Sequence, residues 1–149
     1  MSGIAGILRY GRLVNQEDLL CMCDSLEQRS PDGQGLYIEN PVGLAHTDFN
    51  GTGRDKRADQ PMSNEDGTLW ITCDGEIYNH VELQKELEKE GHIFRSEINA
   101  EVVIHAYEQW GSGCLEKFNG MFAFAIWCKP RQELFLARDL VGQKPLYYH

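Results

Sequence analysis

The chain has 149 residues, 42% hydrophobic and 25% charged, with a formal net charge of −9 and a pI near 4.9. That is enough chain for one domain with its own core, and too much apolar content for disorder. The acidic balance argues against a nucleic-acid or anionic-membrane partner, because both require clustered Lys and Arg.

The longest apolar run, Met121 to Cys128, is too short to span a bilayer, and no secretory pattern opens the sequence. A cytoplasmic protein is expected. The five cysteines are an odd count and read as reduced, free thiols. Cys21 and Cys23, two apart on a predicted helix, point about 200° from each other and are poorly placed for a bridge or a shared metal.

Gly3 to Leu8 is short, apolar and rich in small residues, which predicts a buried strand starting almost at the N-terminus. Asn15, followed by acid at Glu17 and Asp18, starts a helix with a stripe through Leu19, Leu20, Met22 and Leu26, ending near Arg29 because Pro31 disfavours helical geometry in Ser30. After a predicted turn at Pro31 to Gly35, strands follow at Leu36 to Ile38 and Val42 to Ala45. Asn50 to Gln60 is polar and aperiodic, a surface loop.

Thr68 to Cys73 is β-branched and aromatic and should pair with Met62 to Asn64 across the Glu65-Asp66-Gly67 turn. Asn79 with Glu82 resembles a capping box for a helix carrying Leu83 and Leu87 and stopping at Gly91. Asn99 is read as the N-cap of a third helix, with Val103, Ala106, Tyr107 and Trp110 on its apolar side and Gly111 at its end. Met121 to Trp127, Leu134 to Ala137 and Leu146 to Tyr148 close the chain as strands. Apolar strands covered on both faces, with helices grouped mid-chain, predict a layered α+β sandwich.

Six strings occur in order along the chain: Gly3-Ile4-Ala5-Gly6-Ile7, Pro31-Asp32-Gly33-Gln34-Gly35, Gln60-Pro61-Met62-Ser63-Asn64, Gly75-Glu76-Ile77-Tyr78-Asn79, Asn119-Gly120-Met121-Phe122-Ala123-Phe124, and Arg138-Asp139 with Gly142 to Tyr148. Together they resemble the N-terminal class II glutamine amidotransferase domain of glutamine-hydrolysing asparagine synthetases. The resemblance implies an N-terminal-nucleophile (Ntn) hydrolase fold, a four-layer αββα sandwich of two antiparallel sheets, over residues 1–149 as one glutaminase-like domain. In that family the domain hydrolyses glutamine and passes ammonia to a C-terminal domain that uses ATP. The family's glutaminase region runs beyond Tyr148, so the chain is read as a piece of a longer synthetase or a shortened stand-alone protein.

Amide hydrolysis by this route needs a nucleophile with a base, an oxyanion hole, and groups that hold the substrate's α-amino and α-carboxylate ends. The resemblance places the nucleophile at Ser2, where the family has cysteine; a hydroxyl is far less ionised than a thiol and depends on the free α-amine, which a retained Met1 would block. Asp48 takes the place of the arginine that pairs with the substrate carboxylate. Two like charges about 4 Å apart at an effective dielectric near 20 repel by roughly 4 kcal/mol, and the next arginine is Arg54.

The oxyanion-hole string reads Asp74-Gly75-Glu76 where the family has Asn-Gly-Glu. A carboxylate accepts hydrogen bonds but does not donate, which leaves the Gly75 N–H as the suitable group. Asn99 stands where the family's aspartate meets the α-amino group, and Ser30 replaces a glycine in a turn beside the site. Glu76 and Asn99 complete the substrate-binding positions with Asp48. His46, His80, His92 and His105 show no zinc-like spacing in sequence, and Asp48 and Asp74 are read as unpaired surface acids.

The leading expectation is a glutaminase-like domain that no longer hydrolyses glutamine and serves as a structural or docking partner of an amide-forming synthetase domain or subunit, with a homodimer as another assembly. No cofactor is expected in this domain, ATP and Mg belonging to the synthetase. Two alternatives stand beside it: a serine-type amidase using Ser2 on an amine-bearing amide, with Asp48 and Asp74 as its pocket, and a binding module for a small cationic molecule.

Overall fold

The computed structural model describes residues 2–26, 33–48 and 60–149. In chain order the elements are β1 (Gly3–Leu8), α1 (Gln16–Leu26), β2 (Gly33–Glu39), β3 (Val42–Asp48), β4 (Met62–Ser63), β5 (Leu69–Ile77), α2 (His80–Lys89), α3 (Asn99–Trp110), a 3-10 turn (Gly111–Lys117), β6 (Gly120–Cys128) and β7 (Glu133–Arg138). Two antiparallel sheets result, ordered β1-β3-β2 and β4-β5-β6-β7.

Strand alternation divides the apolar residues among three interlayer spaces. Ala45 of β3, with Ala5, Ile7, Leu36 and Ile38, faces Leu19 and Cys23 of α1. Val42 and Leu44, on the opposite face of β3, meet Ala125 and Trp127 of β6 between the sheets. Ile71, Cys73 and Ile77 of β5, with Phe122, Phe124 and Ile126 of β6, pack against Leu83, Leu87, Val103, Ile104 and Tyr107 of α2 and α3. Three cores between four layers make the expected αββα sandwich.

Two links fix how the sheets lie on each other. Thr72 Oγ1 donates to Ala45 O at 3.0 Å, tying β5 to β3. Gly35, paired with His46, lies so close to Gln60 that a Cβ there would sit 1.8 Å from the Gln60 carbonyl oxygen, while the Gln60 side chain pairs with both peptide groups of Cys73. Thr72 reaches Ala45, and Cys73 is joined through Gln60 to Gly35, the partner of His46, so the links step the same way along both strands. The Asp74 end of β5 therefore lies at the end of the first sheet where Thr47 pairs with Gly3 and β1 begins.

Several expectations are corrected. Gly33 to Gly35 belong to β2 and pair with Asp48, Thr47 and His46 instead of forming a turn. Leu146 to Tyr148 form no strand. Asn79 is the N-cap residue of α2, its carbonyl accepting from Leu83 N, but its side chain makes no capping bond; the side chain accepts from Asn119 N and donates to Lys117 O, joining the start of α2 to the entry of β6. The α1 helix does start on Asn15, whose Oδ1 accepts from Glu17 N at 3.1 Å. Cys23 is buried and Cys21 exposed, on different faces of α1. The predicted end of α1 near Arg29, the start of the Pro31 turn, Ser30, Arg54 and the loop from Asn50 lie outside the described residues.

Candidate functional site

Ser2 sits half-buried immediately before β1. Asp48 closes β3, its backbone paired with Gly33 and one residue beyond the Thr47–Gly3 pair. Across the gap between the sheets, β5 carries Asp74, Gly75 and Glu76. Asp74 alternates with the residues facing α3 and lies on the same face as Thr72, which bonds β3.

Asp74 is no unpaired surface acid. It is 7% exposed, and Lys144 Nζ donates to both of its oxygens, at 3.0 and 3.1 Å. Lys144 is delivered there by a turn built on Asp139, itself buried. The Asp139 carboxylate accepts from the N–H groups of Phe122, Gln143 and Lys144, and its carbonyl from Gly142 N. Burial pushes the Asp139 carboxyl up, the backbone donors pull it down, and the net position is below the ordinary aspartate value. Sequence reading passed over Lys144 and Asp139, although both stand in the last quoted string.

Gly75 pairs with Phe122, but Phe122 exchanges both its N–H and its C=O with Asp139 on the β7 side. The Gly75–Phe122 pair is therefore of the non-hydrogen-bonded kind, and the Gly75 peptide groups turn to the opposite edge of β5. Along that edge β4 covers Ile71, the Gln60 side chain covers Cys73, and Asn99 Oδ1 accepts from Ile77 N at 3.0 Å. Gly75 falls in the gap between the last two. Its φ of +139° and the 2.0 Å that would separate a Cβ from Met121 O exclude other residues.

Asn99 is thus the first residue of α3 and not its N-cap, which is Ile98, and its side chain holds the end of β5. Glu76 is exposed beside Gly75. Two surface depressions lie elsewhere, one around Arg9 to Leu13 at the far end of β1, the other along Leu134, Leu136 and Leu146.

His92 and His105 come together with Glu65 and Glu108, on the α3 side of the second sheet, away from Ser2.

Residues 1–149 match the glutamine amidotransferase domain family from end to end. The chain belongs to that family. Among sequence relatives it is 37% identical to asparagine synthetase [glutamine-hydrolyzing] 2 of Bacillus subtilis, with 99% of this chain and 20% of the relative covered. It is also 37% identical to asparagine synthetase 1 of the same organism, over 99% of this chain and 24% of that one. A putative asparagine synthetase 1 of Methanocaldococcus jannaschii is 35% identical, over 99% of this chain and 30% of the relative. The chain thus spans a fifth to a third of these relatives. Among solved structures, the glutamine phosphoribosylpyrophosphate amidotransferase of B. subtilis superposes with a TM-score of 0.56 at 23% identity, covering 68% of this chain and 24% of that one. That likeness shows the Ntn-hydrolase fold. The chain is a glutamine amidotransferase domain of the asparagine-synthetase type. Among the described residues, no helix is long and apolar enough to cross a membrane.

Proposed function

We propose that this amidotransferase domain does not hydrolyse glutamine and serves as a structural or docking partner of an amide-forming synthetase unit. The observation that carries the reading is Asp74. At the position where the family's resemblance calls for an asparagine N–H donor, this chain has a buried carboxylate with both oxygens engaged by Lys144. The ion pair cancels the charge that would have opposed an oxyanion, so the deficit is one missing donor, a loss of about 10²–10³ in rate. Asn99 has its acceptor committed to Ile77 N, and among the described residues of the site Gly75 keeps an N–H directed at the outer edge of β5.

Binding suffers separately. Asp48 stands where an arginine would meet the substrate carboxylate, and Ser2 replaces the thiol nucleophile. The same ion pair weakens the amine-pocket alternative, because Asp74 already has its cation. In this reading the domain takes no cofactor, ATP and Mg belong to the synthetase unit, and the protein works in the cytoplasm.

Calorimetry of the 149-residue chain with millimolar glutamine is expected to show no binding heat. A micromolar dissociation constant, about −8 kcal/mol of binding, would refute the placement of Asp48 against the carboxylate.

A further inference from the structure

We propose that Glu65, His92, His105 and Glu108 form a structural site for a divalent transition metal of the Zn²⁺ class, remote from the glutaminase centre. His105 and Glu108 stand one turn apart on α3, His92 follows α2, and Glu65 belongs to the turn between β4 and β5. Their four inward donor atoms lie within 4.8 Å of one another. His105 is 1% exposed, and its Nδ1 has no hydrogen-bond partner.

Glu65, His92 and Glu108 are each held from outside by a hydrogen bond, and each leaves one donor atom facing inward. Glu65 Oε1 accepts from Ile93 N at 3.0 Å, and Glu108 Oε1 from Asn64 Nδ2 at 3.1 Å. His92 Nε2 lies 3.0 Å from Gln109 Oε1, an oxygen that only accepts, so Nε2 carries the proton and, in the neutral ring, Nδ1 keeps its lone pair. His105 Nε2 faces Glu101 Oε1 at 3.8 Å, and Glu101 is fixed by Arg95 N, Ser96 N and Ser96 Oγ. This is the outer-sphere pattern that orients histidine ligands to a metal.

The inward atoms are gathered without being bonded to one another. His105 Nδ1 is 3.6 Å from both Glu65 Oε2 and Glu108 Oε2, and His92 Nδ1 is 3.7 Å from Glu108 Oε2. These separations are too long for hydrogen bonds. They approach the edge of a tetrahedron with metal–ligand bonds near 2.0–2.1 Å, which is about 3.3–3.4 Å. Two imidazoles with two carboxylates suit Zn²⁺, Co²⁺ or Ni²⁺ better than Mg²⁺ or Ca²⁺, which take oxygen alone. Glu65 and Glu108, 29% and 33% exposed, give the ion a way in. Four protein ligands leave no open position, so the role is to fasten the β4–β5 turn and the segment after α2 onto α3.

The test uses the untagged 149-residue chain freed of metal by a chelator, titrated with Zn²⁺ by calorimetry and with Co²⁺ by visible absorption. One equivalent of each is expected to bind, Co²⁺ with the intense d–d bands of four-coordination and no thiolate charge-transfer band, and Zn²⁺ is expected to raise the thermal midpoint where Mg²⁺ does not. Glu108→Gln, on the surface, and Gln109→Leu, in the outer sphere, should each weaken Zn²⁺ about 10–100-fold without unfolding the chain. Absence of stoichiometric binding, a thiolate band, or affinity unchanged in both variants would overturn the proposal.

Discussion

Ile77 ends β5 with an N–H that β6 does not take, and Asn99 Oδ1 accepts it from the first turn of α3. Asn99→Asp keeps an acceptor and should leave stability nearly unchanged. Asn99→Ala strands a partly buried donor and should cost about 1–3 kcal/mol in urea unfolding, and equal stability for the two variants would contradict the role. The sequence signal at Asn99 was a real one, a polar residue opening a helix, but it could not say whether the side chain turns to its own helix or to a neighbouring strand. Asp139 carries a pH signature. Its carboxyl is held below the ordinary value of 3.8, so its stabilisation is present above that pH and is lost as pH falls through the lower folded value. The stability gap between the parent chain and Asp139→Asn should be full at pH 6 and shrink below about pH 4; a gap constant with pH would show that the carboxylate charge contributes nothing.

At the scale of elements, β5 and β6 are pressed together at Gly75, where a methyl group would meet Met121 O. Gly75→Ala should therefore destabilise by about 1–3 kcal/mol through strain and strand separation, read as a lowered denaturation midpoint. A neutral substitution would mean that β5 can bulge outward there. The helices were legible because apolar spacing and glycine stops are local: Leu83 and Leu87 are buried on α2, and α3 ends at Gly111 with φ +57°. The start of β2 was not, because Gly33-Gln34-Gly35 has the composition of a turn and becomes a strand only through pairing with β3 and the close passage of Gln60. The mistaken strand at Leu146 to Tyr148 is the reverse case, an apolar aromatic run that lies beside the β7 edge without pairing to it.

For the whole molecule, apolar strands on either side of a helical middle gave a layered α+β sandwich, while the four layers and the slots of the active site followed from the family resemblance. What stayed hidden depends on distances across the chain. Lys144 lies 70 residues from Asp74, and Glu65 lies 28 residues from the segment at Ile93 that holds it, so no spacing rule announces either partner. The central claim, a dismantled glutamine site in an intact scaffold, is tested most directly by glutamate release from glutamine with Met1 removed, comparing the parent, Ser2→Cys, Ser2→Cys with Asp48→Arg and Asp74→Asn, and that triple variant with Asn99→Asp. Each needs a folding check, since Asp74→Asn leaves Lys144 without its counter-charge. The account predicts no release from the parent or from Ser2→Cys alone, measurable turnover from the triple variant and a further gain from Asn99→Asp, because residues acting as a unit recover little one at a time. Turnover by Ser2→Cys alone on the order of 1 s⁻¹ would contradict it.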